Sequence, residues 1–453
     1  MERIALEKLT DWNNSERRKP LIVWGARQVG KTYLVQELFA KTYYKDNYIY
    51  VDCKKEDEIR TFCSETANAE KIIEYISLRK GKQISEKTLL IFDEIQECPN
   101  IISSLKYFCQ DFREVPVIAT GSMVRIKLQR ETHKKGSRES DKFLFPVGKI
   151  NQITVYPMTF DEFLMNRNKM LYQAVKKAYE NRQPLDGQIH GLVMEEVYKY
   201  LLVGGMPEAV EAYIEGEDLL ESREILKALY DNYLADMELY QASPEALLRS
   251  RALFQNIYRE LNKESKNFSP GLIEEKRKTR DFATAIQWLT MAHVVNQSFQ
   301  LKEHITMPLM PEGESKFRLF LGDIGMFSYQ SGINAASFLS SERENTLSGI
   351  FFENFVANEL IAKGHKLFYW RGRVSAELEF IVESDNKLYP IDVKKGRGTL
   401  NSLAKFSNHN KFECAIKVSK NNYGYSPEQK LLTIPFYFIP FVARELADGT
   451  MTI

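Results

Sequence analysis

Along the first 155 or so residues, short apolar and β-branched runs alternate with segments whose apolar positions recur every three to four residues. That alternation predicts parallel strands joined by helices. The expected strands are 21–24, 48–51, 89–92, 117–120 and 153–156, and their near-continuous hydrophobicity predicts burial on both faces. Between the last two, seven bases (Arg125, Lys127, Arg130, Lys134, Lys135, Arg138, Lys142) outnumber three acids, which predicts a polar loop. From 159 to 240 the pattern turns helical, with a helix start at Asp161-Glu162-Phe163-Leu164 after Pro157 and a helix end and turn at Leu201 to Pro207. Residues 247–299 read as three short helices leading into the apolar run at Val294-Val295, the order of a winged helix-turn-helix. The last stretch, 346–453, gives a helix, strands at 377–382 and 388–393, and further short α/β elements.

These patterns divide the 453 residues into an α/β core at 1–158, a helical lid at 159–245, a winged-helix-like segment at 246–335 and a C-terminal α/β module at 336–453. Hydrophobic residues at 44% and charged residues at 27% exclude a disordered or fibrous chain. A net charge of +1 excludes a molecule built throughout as a polyelectrolyte partner, so any contact with nucleic acid must be local. No run approaches the roughly 18 apolar residues of a membrane span, and the charges of Glu2, Arg3, Glu7 and Lys8 leave no signal-peptide apolar region in the first eight residues, so a cytoplasmic protein with no membrane partner is expected. Cys53, Cys63, Cys98, Cys109 and Cys414 are widely spaced and never form a C-x-x-C pair, which predicts free thiols and neither a disulfide framework nor a zinc site.

Candidate chemistry begins at Gly25-Ala26-Arg27-Gln28-Val29-Gly30-Lys31-Thr32, which fits G-x-x-x-x-G-K-[ST] between a strand and a helix-period run carrying Leu34, Val35, Leu38 and Phe39 on one face. Glycines let backbone N–H groups curl around phosphates, Lys31 neutralises their charge, Thr32 offers a hydroxyl to Mg²⁺, and Tyr33 continues the binding segment into the helix. The run 89–92 ends in Asp93-Glu94, where Asp93 would hold the metal and Glu94 would polarise the attacking water. Thr120 or Ser122 at the end of the next strand is a candidate γ-phosphate sensor, competing with a plain turn. Arg27, Arg125, Arg130 and Arg138 are the alternatives for a transition-state arginine.

Taken with Gly204-Gly205-Met206-Pro207-Glu208, the stretch from Tyr156 to Phe163 and the stretch from Phe317 to Gly325, these motifs resemble the prokaryotic AAA-type P-loop ATPases whose C-terminal half is a domain of unknown function. The resemblance covers nearly the whole chain. It implies an AAA-like P-loop NTPase core with ATP and Mg²⁺, a helical and winged-helix middle, and a C-terminal module of the restriction-endonuclease type. Where that family carries Gly-Arg, this chain has Gly148-Lys149, a point charge without a fork.

In the C-terminal stretch, Glu353 on a helix, Glu379 within a strand and Asp392-Val393-Lys394 at a strand end resemble the order of the PD-(D/E)XK nuclease core. Glu379 and Asp392 could ligate Mg²⁺ while Lys394 positions a water. The resembled core carries Asp where this chain has Glu379, so an intact nuclease, a decayed fold used for binding, and purely structural charges all stay open. Residues 387–420 carry eight bases and two acids, a local +6 that would favour DNA. Three functions follow: an ATP-hydrolysing switch, an ATP-gated DNA nuclease, and a nucleotide-bound adaptor for a protein or DNA partner that does not hydrolyse.

Overall fold

Five short strands carry the first part of the chain: β1 (Leu21–Trp24), β2 (Tyr48–Asp52), β3 (Leu89–Asp93), β4 (Val117–Thr120) and β5 (Asn151–Thr154). They form one sheet in the order β2-β3-β4-β1-β5, every pairing parallel. The central strands β1, β3 and β4 are buried at every position, as their unbroken apolar runs require. The edges depart from that expectation: β2 alternates buried and half-buried residues, and β5 is half-buried or exposed. An edge strand has one neighbour and a solvent-facing side, so continuous burial is unavailable to it. The fifth strand also begins two residues earlier than the expected 153–156.

The computed structural model describes residues 1–122, 145–240, 243–335, 338, 349–372, 376–394 and 401–452. The chain divides into two units, one spanning Glu2–Tyr156 and the other Pro157–Ile453 with Met1. In the first, α1 (Ala5–Asn14) precedes β1 and α2 (Tyr33–Ala40) follows the glycine loop with wide turns in which the Lys41 N–H reaches back to the Gln36 carbonyl. Helices α3 (Asp57–Glu65), α4 (Ala69–Lys80) and α5 (Pro99–Asp111) bring Ile59, Ile72, Ile76, Ile101, Leu105 and Phe108 onto Val51, Phe92 and Val117 of the sheet. Each such buried side chain contributes about 1.5–3 kcal/mol of transfer free energy. Cys53, Cys63 and Cys98 are buried here.

The second unit opens on α6 (Phe160–Arg167), capped where the Thr159 N–H donates to Glu162 Oε2 at 3.1 Å. It continues through α7 (Lys169–Glu180), α8 (Gly187–Val203), α9 (Pro207–Gly216), α10 (Leu219–Tyr240) and α11 (Pro244–Leu261), then α12 (Ala283–Met291). The stretches around Met158, Gly205 and Asp323 converge. Met158 N–H donates to the Gly205 carbonyl at 2.6 Å, and Gly205 N–H donates to Asp323 Oδ2 at 2.7 Å. A Cβ on Gly205 would overlap the Met158 carbonyl, so only glycine allows this approach. Asp323 also caps α13 (Ile324–Gln330) by accepting from Met326 N–H at 2.9 Å.

The run expected to follow the three short helices forms a strand with a neighbour on each edge. Strand β6 (Val295–Leu301) pairs antiparallel with β7 (Phe317–Leu321) and, on its other edge, parallel with β8 (Leu367–Arg371), giving a sheet β7-β6-β8-β9 that joins the middle of the chain to its C-terminal part. The expected strand 377–382 breaks at Glu379 into β9 (Glu377–Leu378), which pairs with β8, and β10 (Phe380–Ser384), which pairs with β11 (Lys387–Val393). Strands β12 (Ala415–Ser419), β13 (Gly424–Ser426) and β14 (Leu431–Pro435) complete a second sheet in the order β10-β11-β12-β14-β13. Against these lie α14 (Gly349–Ala362), α15 (Asn401–Ser407) and α16 (Ile439–Asp448).

Candidate functional site

The glycine loop leaves the buried end of β1 and turns on three positive φ values, Gly25 at 148°, Gln28 at 63° and Gly30 at 84°. A Cβ on Gly25 would overlap the Val155 carbonyl, which fixes glycine at the start of the loop. Lys31 is 7% exposed, and its ammonium donates to the carbonyls of Gly25 at 3.2 Å and Ala26 at 2.8 Å. Burial lowers its pKa to about 8, with the Arg27 charge adding to the fall and Glu94 and Asp93 opposing it. Ala26 and Val29 are buried, Arg27, Gly30 and Thr32 half-buried, and Gln28 and Tyr33 exposed.

Asp93, at the end of β3, gathers the polar groups of the site. Its Oδ2 accepts from the Thr32 hydroxyl at 2.8 Å and from the Tyr50 hydroxyl at 2.7 Å; its Oδ1 accepts from the Thr120 hydroxyl and from Glu94 N–H. Thr120 is therefore turned onto the carboxylate, while Ser122 is buried beyond it. Strand pairing explains the gathering: Tyr50 lies across from Ile91, one pleat before Asp93, and the two side chains emerge on the same face. Burial and the bond to Asp93 push the Tyr50 hydroxyl far above its ordinary range. Glu94 follows at φ 53°, and its carboxylate accepts from the buried Gln96 amide, whose own Oε1 has no partner. The Thr32 hydroxyl and the Asp93 carboxylate are hard oxygen donors held together, the donor type Mg²⁺ takes.

One further group reaches this loop. Arg3, 6% exposed, donates from Nη1 to the Val29 carbonyl at 2.9 Å and from Nη2 to the Tyr156 carbonyl at 2.8 Å. Lys149 lies half-buried in the turn before β5. The arginine candidates Arg125, Arg130 and Arg138, with the rest of that basic stretch, lie outside the described residues.

In the second unit the C-terminal acids come together, each beside a cation. Lys394 Nζ lies 2.6 Å from Asp392 Oδ1 and 3.6 Å from Glu379 Oε1, and Val393 N–H donates to Glu379 Oε2 at 3.0 Å. Glu353 Oε1 pairs with Lys266 Nζ at 2.6 Å. Burial and the nearby Glu353 charge raise the Glu379 pKa to about 8, with Lys394 holding it back. Among the described residues no group of three or more His, Cys, Asp or Glu side chains could hold a metal ion. Glu379 and Asp392, the pair expected to ligate Mg²⁺, both face the Lys394 ammonium here.

Residues 17–164 match the family described as AAA domain, a span that contains the glycine loop, Asp93, Glu94 and Thr120. This unit is an AAA-type P-loop nucleotide-binding core. Residues 194–337 and 348–438 of the chain match two domains of unknown function, DUF8612 and DUF4143. An uncharacterised protein of Methanocaldococcus jannaschii is 28% identical over 220 residues, which cover 46% of this chain and 42% of that relative, so the match spans less than half of its length. Among solved structures, AMPPCP-bound DnaA from Aquifex aeolicus is similar over 64% of this chain and 86% of that one, at 17% identity and a TM-score of 0.27. C. elegans PCH-2 is similar over 41% and 47%, at 14% identity and a TM-score of 0.20. At such scores neither likeness bears on the argument.

The P-loop core holds more than its motifs name. Tyr50, Gln96 and Arg3 all reach the site, and Lys266 reaches the C-terminal acids. In the sequence, Tyr50 falls within the expected strand 48–51 and Gln96 within the run Asp93-Glu94-Ile95-Gln96, while nothing marks Arg3 or Lys266.

Proposed function

We propose that this chain is a Mg²⁺-dependent ATP-hydrolysing switch, in which the nucleotide state of the P-loop core is passed to the helical and C-terminal parts. The observation that carries it is the meeting of Thr32, from the loop, with Asp93, from the neighbouring acidic strand, at 2.8 Å. Backbone N–H groups of Gly25, Ala26, Arg27, Gln28, Val29, Gly30, Lys31, Thr32 and Tyr33 would cradle the phosphates, with the Lys31 ammonium released from the loop carbonyls onto the β/γ-phosphate charge. Mg²⁺, held through Thr32 and Asp93, would supply charge neutralisation at the leaving phosphate. Glu94 would orient and polarise the attacking water once its carboxylate leaves the Gln96 amide. Thr120 acts through Asp93 in this reading, as a positioning residue.

The helical segment 159–245 serves as the lid, 246–335 links it to the C-terminal module, and the adaptor without turnover is the competing outcome. DNA through the basic segment 387–420, or a protein, is the partner class to be distinguished. The test is phosphate release from ATP by the purified protein with Mg²⁺, alone and with single- or double-stranded DNA, beside Lys31→Ala. Release that Lys31→Ala abolishes is expected; release unchanged in that variant sinks the assignment. Stimulation by DNA selects the nucleic-acid partner, and indifference to DNA selects a protein.

A further inference from the structure

The acids that resemble a nuclease core belong to a larger buried network whose cations come from the middle of the chain. Lys266, in the segment after α11, pairs with Glu353 of α14 at 2.6 Å and lies 3.8 Å from Glu377 of β9. Glu377 in turn pairs with Nη2 of Arg318 at 2.6 Å, and the fully buried Arg318 guanidinium sits 3.9 Å over the Tyr369 ring. The Tyr369 hydroxyl donates to Asn267, next to Lys266, at 2.7 Å. Lys394 closes the other end between Asp392 and Glu379.

Charge balance decides what this network is. Its acids are Glu353, Glu377, Glu379 and Asp392 and its cations Lys266, Arg318 and Lys394, with the Arg371 charge also acting on Glu377, four against four. Burying charges costs several kcal/mol each unless they are paired, so a balanced cluster is tolerated where an unbalanced one is not. A divalent ion added to it would face two ammonium groups and a guanidinium. Glu353 is 5% exposed, and its Oε2 has no hydrogen-bond partner. One acceptor atom thus stays open beside the Lys266 ammonium, a lone pair that a second cation could take only if the lysine left.

We propose that Lys266 is the built-in cation of this carboxylate cluster: its ammonium takes the charge position of a divalent metal, closes the cluster to Mg²⁺ and Mn²⁺, and fastens the segment after α11 to α14 and β9. The cluster is then a seam between the two stretches that match domains of unknown function, and not a metal-dependent cutting site. Removing the ammonium uncovers Glu353, with Glu377 beside it, as oxygen ligands of the kind hard divalent ions take, while Lys394 keeps Glu379 and Asp392 paired.

Titration of the nucleotide-free full-length protein with Mn²⁺, read by the loss of the free-ion EPR signal, tests this without reference to ATP turnover. The wild type is expected to show no Mn²⁺ uptake that Asp392→Asn removes. Lys266→Met is expected to take up one additional ion per chain, lost again in Lys266→Met/Glu353→Gln, and to regain with Mn²⁺ part of the melting midpoint it loses in EDTA. An Asp392-dependent Mn²⁺ site in the wild type overturns the proposal, as does a folded Lys266→Met that takes up no ion. Should Lys266→Met not fold, Lys266→Gln keeps a neutral hydrogen-bond donor to Glu353; its midpoint must rise with Mn²⁺ while that of Lys266→Arg does not, and equal responses overturn the proposal.

Discussion

Asp93 accepts three hydroxyls and one backbone N–H, and each donor comes from a different place in the chain. A hydrogen bond to a charged acceptor contributes about 1.5–3 kcal/mol, so Tyr50→Phe is expected to lower the unfolding free energy of the P-loop unit by about that amount in urea titration. An unchanged midpoint would remove the contact from this account. Lys31 carries the pH dependence. Its pKa in the fold, about 8, lies below the 10.5 of a free lysine, so the buried ammonium costs stability at every pH below 8, and that cost fades as pH rises from 8 to 10.5. Polyphosphate binding requires the ammonium, so affinity for ATP should be flat below pH 8 and fall by at most about tenfold per pH unit above it, with proton uptake visible to calorimetry in buffers of different ionisation enthalpy. Lys31→Arg should lose the pH dependence; affinity that is flat to pH 9.5 in the wild type contradicts the assignment. At this scale the motif residues were legible because fixed spacing around a glycine turn admits few other uses. Arg3 and Lys266 were not, because a cation 26 residues from Val29 or 87 from Glu353 carries no local signal.

At the scale of elements, the central strands were legible from unbroken apolar runs, and the start of α6 from Asp161-Glu162-Phe163-Leu164 after Pro157. The sequence could not show that the strand through Glu379 changes partners, since both halves have the same strand-like composition and only the pairing of β8 and β11 separates them. The outer neighbour of the β6–β7 hairpin was hidden from the sequence for a related reason. A hairpin at 295–321 has the same pattern whether its outer edge is free or, as here, taken by β8 from more than 40 residues downstream. Two glycines and one acid hold element junctions that packing alone would not. Gly25→Ala should abolish ATP binding, because the loop can accept a Cβ only by moving off the Val155 carbonyl; wild-type affinity in a calorimetric titration would contradict this. Asp323→Ala should cost the second unit about 2–4 kcal/mol, leaving the Gly205 and Met326 N–H groups buried without an acceptor, and chemical denaturation of the variant measures it.

For the whole molecule, the two units have separate claims on stability. A ligand that binds only the folded P-loop core stabilises it by about 2.7 kcal/mol at a hundredfold excess over Kd, so ATP with Mg²⁺ should raise the melting of the wild type and not that of Lys31→Ala. The C-terminal acids add nothing to that shift under the reading given above. No helix among the described residues is long and apolar enough to cross a membrane. Arg3, finally, makes the beginning of the chain part of the nucleotide loop. One guanidinium holds both the Val29 carbonyl inside the loop and the Tyr156 carbonyl where the chain leaves the core. Trimming four residues from the amino end would therefore mimic a loop mutation, weakening nucleotide affinity in a protein whose every motif residue is intact.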